Sequence, residues 1–193
     1  MRKKIALIMS IILSIGIQFE KNISINLENI DKYIIRPNAN WFENITFDFP
    51  RGSDARIFDI DSGREFYIRR TFGTNHADIE PLTKYDARIM YEIWGGFSWS
   101  RRAVLVYVGN YIFAGSLTNF PHAGVDGKPP LSIVDNRSGG FGRGLNFNAI
   151  SGNGIHGHMC LHFYGSLTHV TNRRNPQHSA KISQARDFLI NYR

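Results

Sequence analysis

The stretch Ala103-Val104-Leu105-Val106-Tyr107-Val108-Gly109-Asn110-Tyr111-Ile112-Phe113-Ala114-Gly115 decides the fold. Two apolar runs rich in β-branched and aromatic residues flank Gly109-Asn110, a glycine-first two-residue turn of the kind that closes tight hairpins. Upstream, Arg56-Ile57-Phe58-Asp59-Ile60, the turn Asp61-Ser62-Gly63 and Glu65-Phe66-Tyr67-Ile68-Arg69 read as strand, turn and strand. Trp41-Phe42-Glu43-Asn44-Ile45-Thr46-Phe47-Asp48-Phe49 alternates over part of its length, as a strand opening the domain would. Thr83 with Asp86 three residues on is an N-cap pattern, and Ile89, Met90 and Ile93 keep helical spacing until Gly95-Gly96, so a helix is expected over 81–94. A second is expected over 179–191, with Ile182, Ala185, Phe188 and Leu189 on one face. The fold class is therefore α+β, mainly β, with at least two peripheral helices.

Of the 193 residues, 42% are hydrophobic and 20% charged, a composition that supports one packed domain and excludes disordered and collagen-like classes. The single cysteine, Cys160, excludes an intramolecular disulfide framework. Arg2, Lys3 and Lys4 precede an apolar run from Ile5 to Ile17, shorter than the roughly 20 residues a spanning helix needs. Residues 1–17 read as an export signal or membrane anchor, 18–40 as an Asn-rich tether and 41–193 as the functional domain. The expected location is extracellular or cell-wall associated, with the membrane touched only through the N-terminal segment. Residues 17–100 carry 10 Lys+Arg against 13 Asp+Glu, a balance of −3, and residues 101–193 carry 10 against 3, a balance of +7. The basic half should attract anions. Its cations are scattered rather than striped with aromatics, so an anionic cell-wall polymer is expected as partner and nucleic acid is not.

The chemistry concentrates in Gly157-His158-Met159-Cys160-Leu161-His162-Phe163. In an extended strand Met159, Leu161 and Phe163 face the core, while His158, Cys160 and His162 share the opposite face. A thiol serves as nucleophile only as thiolate, which a neighbouring imidazole can generate. His122, at the entry to a 36-residue segment (122–157) holding nine of the 18 glycines, is the expected base, and it should lie within about 8 Å of Cys160. The same residues also read as metal ligands. His76, Asp78 and Glu80 alternate along Thr74–Glu80, so His76, Asp78, His158, Cys160 and His162 are an alternative zinc set. A third reading is a wall-binding module without catalysis, with Trp94, Trp99, Tyr107 and Tyr111 as a glycan platform.

His122-Ala123-Gly124 together with Gly157–His162 resembles the signature of the L,D-transpeptidase family of cell-wall enzymes, a His-Gly pair followed after a loop by Ser/Thr-His-Gly-Cys, an aliphatic residue and Arg or Asn. Gly157, Met159 and His162 depart from that signature. Arg69–Asp78 and Gly157–Phe163 are also similar to an exported module of Gram-positive cell-wall proteins. The resemblance implies an L,D-transpeptidase-like β-sandwich and, without a cofactor, acyl transfer on peptidoglycan stem peptides. Cys160 would be the nucleophile, His122 the base, His158 the oxyanion partner, and His162, Gly124, Gly157 and Arg102 the residues that hold substrate. On sequence the thiol reading ranks ahead of zinc, and zinc ahead of the binder.

Overall fold

Residues 32–191 are described by the structure, a computed structural model. The expected leader (1–17) and the first part of the expected tether (18–31) lie outside the described residues. The unit that carries the site begins at Ile35. Its elements follow in the order β1 (Ile34–Arg36), β2 (Asp54–Asp59), β3 (Glu65–Phe72), β4 (Ala77–Pro81), α1 (Lys84–Trp94), β5 (Arg102–Val108), β6 (Tyr111–Leu117), β7 (Ile133–Arg137), β8 (Gly142–Leu145), β9 (Met159–His162) and α2 (Pro176–Asn191). Neither α1 nor α2 is long and apolar enough to cross a membrane.

The fold is α+β and mainly β. One sheet has the order β1-β6-β5-β2-β3-β4-β9, and β9 pairs in addition with β6. Strands β6, β5, β2, β3, β4 and β9 thus close into a barrel, with every pairing around it antiparallel. Two packed sheets were expected. A single sheet closes instead, because β9 places Cys160 opposite Asp78 of β4 and His162 opposite Ser116 of β6. Closure leaves no unpaired edge between these strands. Alternate residues, among them Ile57, Ile68, Ile79, Val106, Phe113, Met159 and Leu161, form one buried cluster, each large side chain contributing roughly 1.5–3 kcal/mol.

The Trp41–Phe49 segment is not a strand. Trp41–Ile45 form a π-helical turn continued by a helical turn at Thr46–Asp48, and the Asn40 side chain caps it by accepting from the Phe42 N–H. Trp41, Ile45 and Phe49 recur every four residues, and this period buries all three. Trp41 stacks on Phe163 at 5.8 Å, closing one end of the core.

Helix α1 starts at Lys84, three residues later than expected, because Pro81 still belongs to β4. The capping box is present: Thr83 Oγ accepts from Asp86 N–H, and the Asp86 carboxylate accepts from Thr83 N–H. Gly95 ends the helix at φ 68°, a left-handed position that suits glycine. Helix α2 starts three residues earlier than expected, since Asn175 accepts from the N–H groups of Gln177 and His178. That extra turn adds His178 to the buried face of Ile182, Ala185 and Leu189, whereas Phe188 is half-buried. Ala185 meets Ala103 and Ala114, small residues that let α2 lie close on β5 and β6.

The glycine-rich segment carries its own two-stranded sheet, β7 with β8. Polar side chains fasten it. Asn146 donates to the carbonyls of Val125, Lys128 and Pro129, and Asp126 accepts from the N–H groups of Gly127 and Gly152.

Candidate functional site

Because the odd-numbered residues of β9 fill the barrel, His158, Cys160 and His162 point outward together, and so do His76 and Asp78 beside β9. All five are nonetheless buried. The cover comes from α2, from the 164–175 connection and from the segment around His122. Six of the chain's seven histidines, His76, His122, His158, His162, His169 and His178, meet in this layer.

Two glycines bring His122 to Cys160. His122 and His158 exchange backbone hydrogen bonds at 3.0 and 3.1 Å, and a Cβ on Gly157, whose φ is +97°, would stand 2.1 Å from the His122 carbonyl oxygen. A Cβ on Gly124 would stand 2.3 Å from the Gly157 Cα. Gly124 and Gly157, expected to hold substrate, therefore allow two backbones to approach. The Cys160 Sγ lies 3.7 Å from His122 Nε2, inside the expected separation. His122 Nδ1 lies 3.0 Å from the Phe120 carbonyl, which fixes its proton on Nδ1 and turns the Nε2 lone pair to the thiol. Burial, and then the Asp78 charge, push the Cys160 thiol above its usual range, while burial holds His122 below its own.

Asp78 is the centre of a second group. Its Oδ1 lies 3.4 Å from His76 Nε2, 3.5 Å from His169 Nε2 and 3.7 Å from His158 Nε2. Donor atoms of His76, Asp78 and His169 all fall within 4.8 Å of one another. His76 Nδ1 donates to the Leu167 carbonyl at 2.8 Å, which leaves Nε2 with its lone pair; that buried nitrogen has no hydrogen-bond partner. Burial alone would raise the Asp78 carboxyl, but His158, His169 and His76 hold it below its ordinary value. Burial depresses His76, takes His158 down to about 4, and outweighs Asp78 in both. His169 is half exposed, and the facing Asp78 carboxylate raises it.

The motif Arg69–Asp78 positions His76 and Asp78. Arg70 is buried beneath Trp41 and donates to the carbonyls of Phe49 and Gly73, which fixes the β3–β4 turn. Asn75 then accepts at its carbonyl from Leu167 N–H and donates its amide to the Thr168 carbonyl. This latch carries His169 to Asp78.

His162 was expected to hold substrate. Instead its ring is sandwiched between His76 at 4.1 Å and His178 at 3.8 Å, with His178 Nδ1 2.8 Å from Ser116 Oγ. Burial pulls both His162 and His178 down, the latter to about 3, so the stack is neutral at physiological pH. Arg102, also expected at substrate, turns away and forms a two-point pair with buried Asp59, both contacts 2.7 Å. Its neighbour Arg101 faces the histidine layer. Glu80, third in the alternating run, accepts from Ala149 N–H at 2.7 Å and Ile150 N–H at 2.9 Å and so anchors the glycine-rich segment; burial raises its pKa to about 7.

The four aromatics proposed as a platform do not share a face. Tyr107 is buried, with the Arg56 guanidinium 3.7 Å over its ring, and Tyr111 lies with it at the turn end of the β5–β6 hairpin. Trp94 donates to the Ser100 carbonyl, and Trp99 stacks on Phe120 at 4.9 Å at the other end. His169, His178 and Arg101 went unread in the sequence. His169 stands in a polar connection with no period, whereas His178, four residues before Ile182, lies on a helical face that a longer reading of α2 includes. No protein-family model, curated protein or solved structure matches the chain.

Proposed function

We propose that the chain is an exported, zinc-dependent peptidase of the cell wall, with His76 Nε2, Asp78 and His169 Nε2 as metal ligands. One observation carries this reading: the ligand atoms are spaced at 3.4 and 3.5 Å. A charge-assisted hydrogen bond between imidazole and carboxylate spans about 2.7–2.9 Å. Nitrogen and oxygen atoms that share a tetrahedral zinc at 2.0–2.1 Å stand about 3.4 Å apart. The Leu167 carbonyl behind His76 is the outer partner that such ligands generally have. These three residues would hold zinc with a fourth position open, and the metal would supply polarisation of a carbonyl and a lowered pKa of water there. His158, 3.7 Å from Asp78 on the β9 side, stands where it can take or return a proton, as a neutral imidazole must to act as base. The peptidoglycan substrate rests on the resemblance of Arg69–Asp78 and Gly157–Phe163 to the exported Gram-positive module.

A second reading keeps the L,D-transpeptidase-like chemistry, with the β-sandwich kinship it implies and no metal. It is favoured by the 3.7 Å approach of Cys160 to a correctly polarised His122. Against it stand the burial of the thiol and the carboxylate of Asp78 directly across the strand pair, both of which oppose a thiolate. The order held on sequence is therefore reversed.

Cys160→Ala separates the two. The variant is expected to keep one zinc and to hydrolyse muropeptides within roughly 100-fold of the unmodified chain, at most the size of a change beside the ligands. Chelation should abolish turnover in both proteins and zinc should restore it. A folded Cys160→Ala protein without turnover, beside a parent indifferent to chelators, establishes the thiol mechanism instead.

A further inference from the structure

Arg101 is a cation set against the histidine layer for which no counter-anion is found among the described residues. Its Nε is buried without a hydrogen-bond partner, and it takes part in no ion pair there. Arg102, one residue on, shows what this chain does with a structural arginine at the same depth: it is clamped by Asp59. A guanidinium nitrogen buried without a partner is costly unless a ligand supplies one. Arg101 lies in an open groove of about 800 Å³ walled by Phe97, Trp99, Phe120 and Lys181. Trp99 stacks on Phe120 and extends over His122 at 4.9 Å, so the aromatic wall runs from solvent to the site. At its inner end the Arg101 charge acts on Cys160, His162 and His178.

We propose that Arg101 is a carboxylate anchor, and that the groove takes the C-terminal end of a peptide so that its free α-carboxylate meets the guanidinium beside the histidine layer. The planar fork of arginine matches a carboxylate with two parallel hydrogen bonds, and an aromatic wall suits the short apolar side chain of a terminal residue. As a peptidase assignment this rests on the zinc reading, since it makes the enzyme one that trims chain ends. The binding itself does not, because Arg101 is not among the proposed ligands.

The test titrates the full chain, as purified and again after chelation, with N-acetyl-alanine, N-acetyl-alanine amide and N-acetyl-glutamate α-amide, with zinc content read on the same samples. N-acetyl-alanine is expected to bind roughly 10–100-fold more tightly than its amide, with or without zinc. Arg101→Met should abolish the preference while leaving zinc content and melting temperature unchanged, and Arg101→Lys should keep part of it. Equal binding of the amide, or a preference that survives Arg101→Met, overturns the anchor. Equal binding of the glutamate α-amide, whose only carboxylate is on the side chain, overturns the terminal assignment. A preference lost on chelation but insensitive to Arg101 would put the carboxylate on the metal and also counts against the anchor. Absence of zinc with the Arg101-dependent preference intact would instead remove the peptidase reading and leave the anchor standing.

Discussion

Asp78→Asn will leave the protein without stoichiometric zinc and lower muropeptide turnover by more than about 100-fold, beyond the 10–100-fold typical of changes to groups that only orient a ligand. The substitution keeps shape and volume. It removes the charge that His76, His169 and His158 surround at 3.4–3.7 Å, and would offer the proposed metal a neutral amide oxygen in place of a carboxylate oxygen. The same change predicts a thermal signature. A ligand present at about 1,000 times its Kd stabilises the native state by about 4 kcal/mol, and a chain of this size shifts by roughly 2–4 °C per kcal/mol. The unmodified protein should therefore lose roughly 8–16 °C on chelation, whereas the Asn variant should melt at the lower temperature from the start and ignore the chelator. Calorimetry with metal analysis on both proteins decides it, and an Asn variant that retains one zinc and full turnover would contradict the ligand assignment.

Gly157→Ala should be destabilising by roughly 2–6 kcal/mol. A non-glycine residue held at a strained backbone angle costs about 1–3 kcal/mol, and the new methyl, 2.1 Å from the His122 carbonyl, forces a backbone shift of similar cost. The shift falls on the paired N–H and C=O groups of His122 and His158, so the Cys160–His122 approach should open even where the variant folds. Denaturant unfolding measures the loss. Gly152→Ala is the control: its φ is also positive but its Cβ meets nothing, so it should lose only the backbone part. Equal effects at the two positions would show that strain, and not close approach, explains Gly157.

Local pattern carried much of this architecture. The alternation of Gly157–Phe163 was enough to separate a core face from a face of His158, Cys160 and His162, and the Gly109-Asn110 turn and the Thr83–Asp86 box appear where their chemistry requires. What escaped was non-local. Barrel closure depends on β9 meeting β4 and β6, partners 82 and 46 positions away at Asp78–Cys160 and Ser116–His162, and no local signal encodes it. Arg101 and Arg102 are adjacent and chemically alike; which of them faces the site is set by Asp59, far off in sequence. His169 reaches Asp78 only through the contacts of Asn75 and His76 with residues 167 and 168. The Trp41–Phe49 run satisfied two periods, and the capping side chain of Asn40 settled it as helical.

Zinc K-edge X-ray absorption on the purified full chain tests directly whether His76, Asp78 and His169 hold zinc. One zinc per chain is expected, with a first shell of light atoms only, four nitrogen and oxygen scatterers at about 2.0–2.1 Å with imidazole outer-shell features. A chain that holds no stoichiometric zinc, or one whose first shell contains sulfur at about 2.3 Å and so places Cys160 on the metal, would contradict it.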